Sequence, residues 1–241
     1  MKFVTEIGYS SPKKTIVRGH DIQDLVKNNT FTEGIFLTWQ GRLPNEKERK
    51  MLDAILVSCM EHGPNAPTIL SSRIVASAGN SLNASVAAGV LSVGEHHGGA
   101  IEQCAKLFQE QINQTGKQIV KEFEEKKKRI PGYGHKIYTT DPRTVQLLEI
   151  AQKLGFFGKF VKLSLEIEKE LETLKGKKLC LNVDGCIAAL MSELGFSWQY
   201  GKGFFIISRT TGIIAHAVEE TVKEKPFRRL DESEVEYIGK K

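Results

Sequence analysis

The chain has 241 residues, 40% apolar and 26% charged, with a net charge of +5. That length is enough for one large domain, or a domain with a smaller lobe, and the composition excludes a disordered or fibrous chain. The charge suits a phosphorylated small molecule and is too small to argue for nucleic acid.

The first 20 residues alternate weakly around Thr15-Ile16-Val17, which predicts one or two short strands. Helical spacing follows. In RLPNEKERKMLDAILVSCMEHG, Asn45 can cap, Glu48 stands three residues on, and Met51, Leu52, Ile55, Leu56 and Cys59 form one stripe. SLNASVAAGVL, from Ser81, is rich in Ala, Ser and Gly and suits a closely packed helix. Ile119, Val120 and Phe123 form an apolar face that runs into EEKKKR before Pro131. Leu147, Leu148, Ala151 and Leu154 make one further stripe, and Phe160, Leu163, Ile167, Leu171 and Leu174 another, ended by Gly176. LCLNVD then leads into a helix from Gly185, with Asp184 expected at its cap. GFFIISRTTGIIAHAVEETVKE reads as a buried helix stopped by Pro226. The chain is therefore predicted to be mainly α-helical.

Cys59, Cys104, Cys180 and Cys186 show no CxxC pairing and read as reduced, buried thiols. The N-terminus lacks a signal-peptide core, and no apolar run approaches about 18 residues, so a cytoplasmic protein without a membrane partner is expected.

Several polar residues stand where chemistry is possible, each with a plainer structural reading beside it. His97 in GEHHGGA lies among glycines that let backbone approach a ligand, or it is a solvated histidine in a capping loop. His62 follows a helix end and could simply meet the helix dipole. Arg209 interrupts an apolar run; such an arginine needs an anion, either a structural carboxylate or a bound one. Arg143 can pair with Asp141, and Arg228 and Arg229 can be solvated near the chain end. KKKR beside Tyr133 could bind nucleic acid, but EFEE just upstream favours a solvated helix end. His216 reads as a core or interface histidine. There is no GxSxG, no catalytic Cys–His spacing and no metal cluster such as HExxH. Histidines, one aspartate and several arginines fit acid–base work on a polycarboxylate.

The order of the motifs resembles the citrate synthase superfamily. HGGA at His97, PGYGH at His135, TDPR at Arg143, NVD at Asp184 and SRTTGIIAH from Ser208 occur in that family's sequence, after an opening region similar to VRGHDIQDL and FTEGIFLTWQGRLPNEKE. Only one helix separates RLPNEKE from EHG, where true citrate synthases carry a much longer stretch. The short form resembles citryl-CoA lyases and the citryl-CoA-cleaving C-terminal module of ATP-citrate lyase.

The resemblance implies a helical fold with a large domain from residues 1–97 and 201–241 and a smaller CoA-binding lobe from 98–200. It implies cleavage of citryl-CoA to acetyl-CoA and oxaloacetate, within citrate metabolism such as a reductive TCA cycle. Citrate synthase activity is the alternative, and a non-catalytic acyl-CoA-binding module a third. His135 matches the histidine beside the carbinol oxygen, His97 the one that hydrogen-bonds the thioester oxygen, and Asp184 the carboxylate that exchanges a proton with the acetyl methyl. His62, Arg143, Arg209 and either Arg228 or Arg229 match the carboxylate-holding residues, the last reaching in from a neighbouring subunit of a dimer or larger homo-oligomer. Ile130, Pro131, Gly132, Tyr133 and Gly134 match the loop whose backbone reads the CoA adenine, with Lys136 near the phosphates. No metal or cofactor beyond CoA is implied, and citryl-CoA would come from a separate synthetase.

Overall fold

A computed structural model of the protein describes residues 2–135 and 138–240. Among them are three short strands and eleven α-helices. The strands β1 (Gly8–Ser10), β2 (Thr15–Val17) and β3 (His20–Asp21) form an antiparallel sheet in chain order, one strand more than the sequence predicts. The extra strand is only two residues long and pairs Val17 with His20, too short to leave an alternating pattern.

The chain divides into two compact units. One joins the residues up to Ser58 with Ala100–Phe204; the other joins Cys59–Gly99 with the residues from Phe205 onward. No helix among the described residues is long and apolar enough to cross a membrane.

The first unit holds the sheet, α1 (Ile22–Asn28), α2 (Phe31–Gln40) and nearly all of α3 (Glu46–Cys59). Asn45 and Glu48 cap the start of α3 reciprocally, side chain of each to backbone N–H of the other, at 3.0 and 2.8 Å. The unit continues through α6 (Ala100–Glu110), α7 (Gly116–Glu125), α8 (Pro142–Leu154), α9 (Lys159–Lys175) and α10 (Val183–Glu193). Helix α10 is apolar on every side and packs against α6, α8 and α9, as expected for the central helix of a core. Its last residue, Glu193, turns its carboxylate onto the N–H groups of Phe160 and Val161, capping α9 at 2.7 and 3.1 Å. Beside it, Phe36, Trp39, Phe196, Tyr200 and Phe204 interlock edge-to-face, with Trp39 and Tyr200 stacked.

The second unit contains α4 (Pro67–Ser77), α5 (Leu82–Leu91) and α11 (Gly201–Lys223) beyond Phe204. The small residues of α5 have a use: a Cβ on Gly89 would lie 2.8 Å from both Thr68 O and the Ile213 side chain. Glu220 of α11 is buried and binds Arg73 and Arg228, so two guanidiniums compensate one desolvated carboxylate.

Phe196 carries the aromatic cluster and is fully buried. Phe196→Ala is expected to cost about 3–5 kcal/mol, read as a lowered urea midpoint with an unchanged slope.

Candidate active site

The sequence-predicted residues fall into two groups. His135, Arg143, Asp184 and the 130–134 loop belong to the first unit; His62, His97, Arg209, Arg228 and Arg229 belong to the second.

In the first unit, the PGYGH loop is zipped onto the strand-like run before α10. Gly134 N donates to Cys180 O at 2.7 Å, and Asn182 N donates to Gly132 O at 3.0 Å. The approach is close because both chains are bare here: a Cβ on Gly132, itself at φ +84°, would lie 2.7 Å from Gly185 Cα. Asn182 fixes the junction. Its Nδ2 donates to Gly134 O at 2.9 Å while its Oδ1 accepts the N–H groups of Asp184 and Gly185. Asn182, not Asp184, is therefore the cap of α10. The backbone at Asn182 is extended, leaving Asp184 half-buried inside the first helical turn. Cys104 lies near enough to feel that carboxylate: burial pushes the thiol well up, and the charge of Asp184 adds to it.

A second tie comes from Asp141. Its buried carboxylate caps α8 through Arg143 N, pairs with the Arg143 guanidinium at 2.8 Å and accepts Val183 N at 3.1 Å. Burial raises the pKa of this carboxyl, but Arg143 and the two N–H groups outweigh that and hold it below its ordinary value. The expected Asp141–Arg143 pair thus joins the start of α8 to the start of α10.

His135 is half-buried, and its Nδ1 accepts Tyr138 N at 3.1 Å. The ring proton accordingly sits on Nε2, which leaves that nitrogen a donor. Lys136 lies outside the described residues. The Tyr133 ring is anchored: its hydroxyl donates to Ser164 O at 2.9 Å, and burial pushes the phenol pKa well up. Ile130, Tyr133, Gly134 and His135 line a cavity of about 690 Å³. Val120, Phe123, Leu171 and Leu179 give it apolar walls, Lys127, Lys128, Arg129 and Lys177 supply positive charge, and Lys175 is paired with Glu124 of the same wall at 2.6 Å. A flat ring carrying phosphates suits that combination. Lys175 and Lys177 escaped the sequence reading because they reach the loop from the end of α9, far along the chain.

In the second unit, a tight turn holds His97: Gly94 N donates to His97 O at 2.8 Å and His97 N to Gly94 O at 3.2 Å. Gly98, at φ +77°, lies against the Phe205 ring, where a Cβ would approach to 2.6 Å. The His97 ring meets Phe205 edge-on and its Nε2 lies 3.2 Å from Thr68 Oγ1. Burial, and then the nearby charge of Arg209, lower the His97 pKa, so the imidazole is neutral at pH 7 and can donate to an oxyanion. Arg209 is buried, lies over the Phe205 ring at 4.8 Å and donates from Nε to Cys59 O at 2.9 Å. His62 is exposed on the turn after α3. Arg228 and Arg229 are both exposed, and Arg228 is held by both oxygens of Glu220, at 2.8 and 2.7 Å.

This arrangement of helices and motif loops belongs to the citrate synthase family: residues 46–230 match the family model for the citrate synthase C-terminal domain. Among solved structures, the chain is similar to a citryl-CoA lyase from Hydrogenobacter thermophilus, at 48% identity and a TM-score of 0.96 over 99% of this chain and 95% of that one. It is also similar to an ATP citrate lyase from Methanothrix soehngenii in complex with citrate and coenzyme A. There the identity is 25% and the TM-score 0.86, over all of this chain and 42% of that one. A probable ATP-citrate synthase of Dictyostelium discoideum is 32% identical over 84% of this chain, which spans only 36% of that relative.

The direction of the His97 shift makes a prediction. The folded protein binds this proton less readily than the unfolded chain, so stability should fall as pH drops below about 6.5. His97→Gln is expected to flatten that part of the stability–pH curve relative to wild type, measured by urea unfolding between pH 7 and 5.

Proposed function

We propose that the chain cleaves citryl-CoA to acetyl-CoA and oxaloacetate by retro-aldol chemistry. The observation that carries this reading is the likeness to a citryl-CoA lyase that runs almost end to end through both chains. The basic, apolar-walled cavity at the 130–134 loop is the CoA subsite, with Lys127, Lys128 and Lys177 meeting phosphates and Ile130–Gly134 meeting the adenine.

In the cleavage step, the tertiary hydroxyl proton of citryl-CoA passes to His135 Nε2, the carbinol becomes the ketone of oxaloacetate, and the C–C bond pair moves into a thioester enolate. For Nε2 to accept, the ring must carry its proton on Nδ1 and release Tyr138 N; once Nε2 has taken the hydroxyl proton it hydrogen-bonds the new ketone oxygen. Neutral His97 donates to the enolate oxygen, a contribution typically worth about 3–4 kcal/mol. Asp184, which must enter the step protonated, delivers its proton to the CH₂ carbon, giving the acetyl methyl; loss of the proton from His135 to solvent and uptake of one by Asp184 reset the pair. His62, Arg143 and Arg209 hold the carboxylates. Arg228 is committed to Glu220 in its own chain, so Arg229 is the arginine offered to a neighbouring subunit. The step as written needs no metal or redox cofactor.

Synthetic citryl-CoA tests the reading. Wild type is expected to release oxaloacetate and acetyl-CoA, and Asp184→Asn and His135→Ala to lose about 100-fold or more in kcat. Free CoA and citrate formed rapidly from acetyl-CoA and oxaloacetate would instead mark a synthase, and near-wild-type cleavage by His135→Ala would sink the assignment of that residue. Lys128→Glu with Lys177→Glu should weaken CoA binding at least tenfold, with a shallower salt dependence by calorimetry.

A further inference from the structure

We propose that His216 is a positioning residue for the turn that carries His62, locked in one tautomer by Arg73 and acting through Glu61. The inference rests on the reading of His62 as a carboxylate-holding residue.

Helix α11 grips the 59–63 turn at three places on one face. Arg209 Nε donates to Cys59 O at 2.9 Å. Gly212 lets the chain lie against the helix, since a Cβ there would come within 2.6 Å of Met60 O. His216 Nε2 lies 3.2 Å from Glu61 Oε1. Residues 209, 212 and 216 share a face by helical spacing, so the turn is laid along α11.

The chemistry of the third contact is directional. Arg73 NH1 lies 3.2 Å from His216 Nδ1. A guanidinium has donors and no acceptor, so Nδ1 must accept and the ring proton sits on Nε2, facing Glu61. Arg73 is itself fixed by the buried carboxylate of Glu220, at 2.6 Å from Nε. Glu219, on the same helix as His216, is the remaining charged group at the ring, 3.9 Å from Nδ1.

Glu61 passes this orientation to its own turn. Its carboxylate accepts Gly63 N at 2.6 Å and also the N–H of His62, as well as the His216 ring. Burial raises its pKa, yet these hydrogen bonds and the ring together hold it below the ordinary value. Gly63 sits at φ +84°, so the turn closes without a Cβ in the left-handed region. The backbone of His62 is thus clamped by the carboxylate of its neighbour while its side chain stays exposed. A purely apolar residue at 216 could fill the same space but could not set Glu61.

The test uses the full chain. His216→Leu and Glu61→Ala are expected to raise KM for citryl-CoA about tenfold with kcat changed by less than about threefold. His216→Gln keeps a donor toward Glu61 and should recover most of the loss. In the ligand-free protein, the amides of His62 and Gly63 should exchange slowly with deuterium, faster in His216→Leu and Glu61→Ala, and near wild type in His216→Gln. Unchanged KM and unchanged exchange in both disrupting variants would overturn the proposal, as would equal damage by His216→Gln and His216→Leu. Should His216→Leu not fold, Glu61→Ala decides by the same two measurements. A wild type that turns over no citryl-CoA overturns the proposed function instead, and the exchange arm then decides the role of His216 by itself.

Discussion

Asn182 is the side chain on which the geometry of the first unit's candidate site depends. With one backbone N–H and one amide it joins two loops and a helix: Gly132 O and Gly134 O on one side, the first N–H groups of α10 on the other. Each such bond contributes only about 1 kcal/mol net, but they act at one point and determine where the two candidate groups stand. His135 follows directly on Gly134, and Asp184 stands in the first turn of the helix that Asn182 caps. Gly132 and Gly185 allow this joint by removing the two Cβ atoms that would hold the backbones apart. The arrangement makes the interior helix α10 a fixed reference. Apolar all round and covered by three helices, it cannot turn to relieve a misplaced first turn, so Asp184 inherits the rigidity of the core.

Much of the fold was legible because the helices carry periodic stripes and chemical stops. The stripe through Met51, Ile55 and Cys59 and the glycine at 176 appear where the pattern places them, with Gly176 left-handed at the end of α9. The cap of α10 was not legible. NVD offers two side chains that can cap, and the choice between Asn182 and Asp184 is made by the zipper to Gly132, which lies about fifty residues earlier. The two-residue strand β3 was missed for lack of length. In the site, the motif residues were recognisable by type and order, while their supports were not. Asp141 was visible as a partner for Arg143, but its bond to Val183 N links positions 42 apart in sequence. His216 looked like a core histidine because the donor that fixes it, Arg73, is 143 residues away.

The cationic groups also divide by what surrounds them. Arg209 is buried over an aromatic ring and lowers the proton affinity of His97, whereas Arg228 is neutralised by Glu220 and keeps α11 joined to the chain that follows it. An arginine already held by both oxygens of a carboxylate has little left to offer a second anion, since breaking that pair would expose a buried charge. Arg229, one residue on, carries no such cost. The same reasoning separates the basic loop residues. Lys126 pairs with Glu122 on its own helix, and Lys127 and Lys128 beyond it turn toward the cavity instead. The charge run that composition alone describes as one basic patch is thus two things: the end of a solvated helix and the wall of a binding cavity. That division, more than net charge, favours a phosphate-bearing small molecule here over a polynucleotide, because the cavity is walled by apolar side chains and its tyrosine is anchored through its hydroxyl to Ser164.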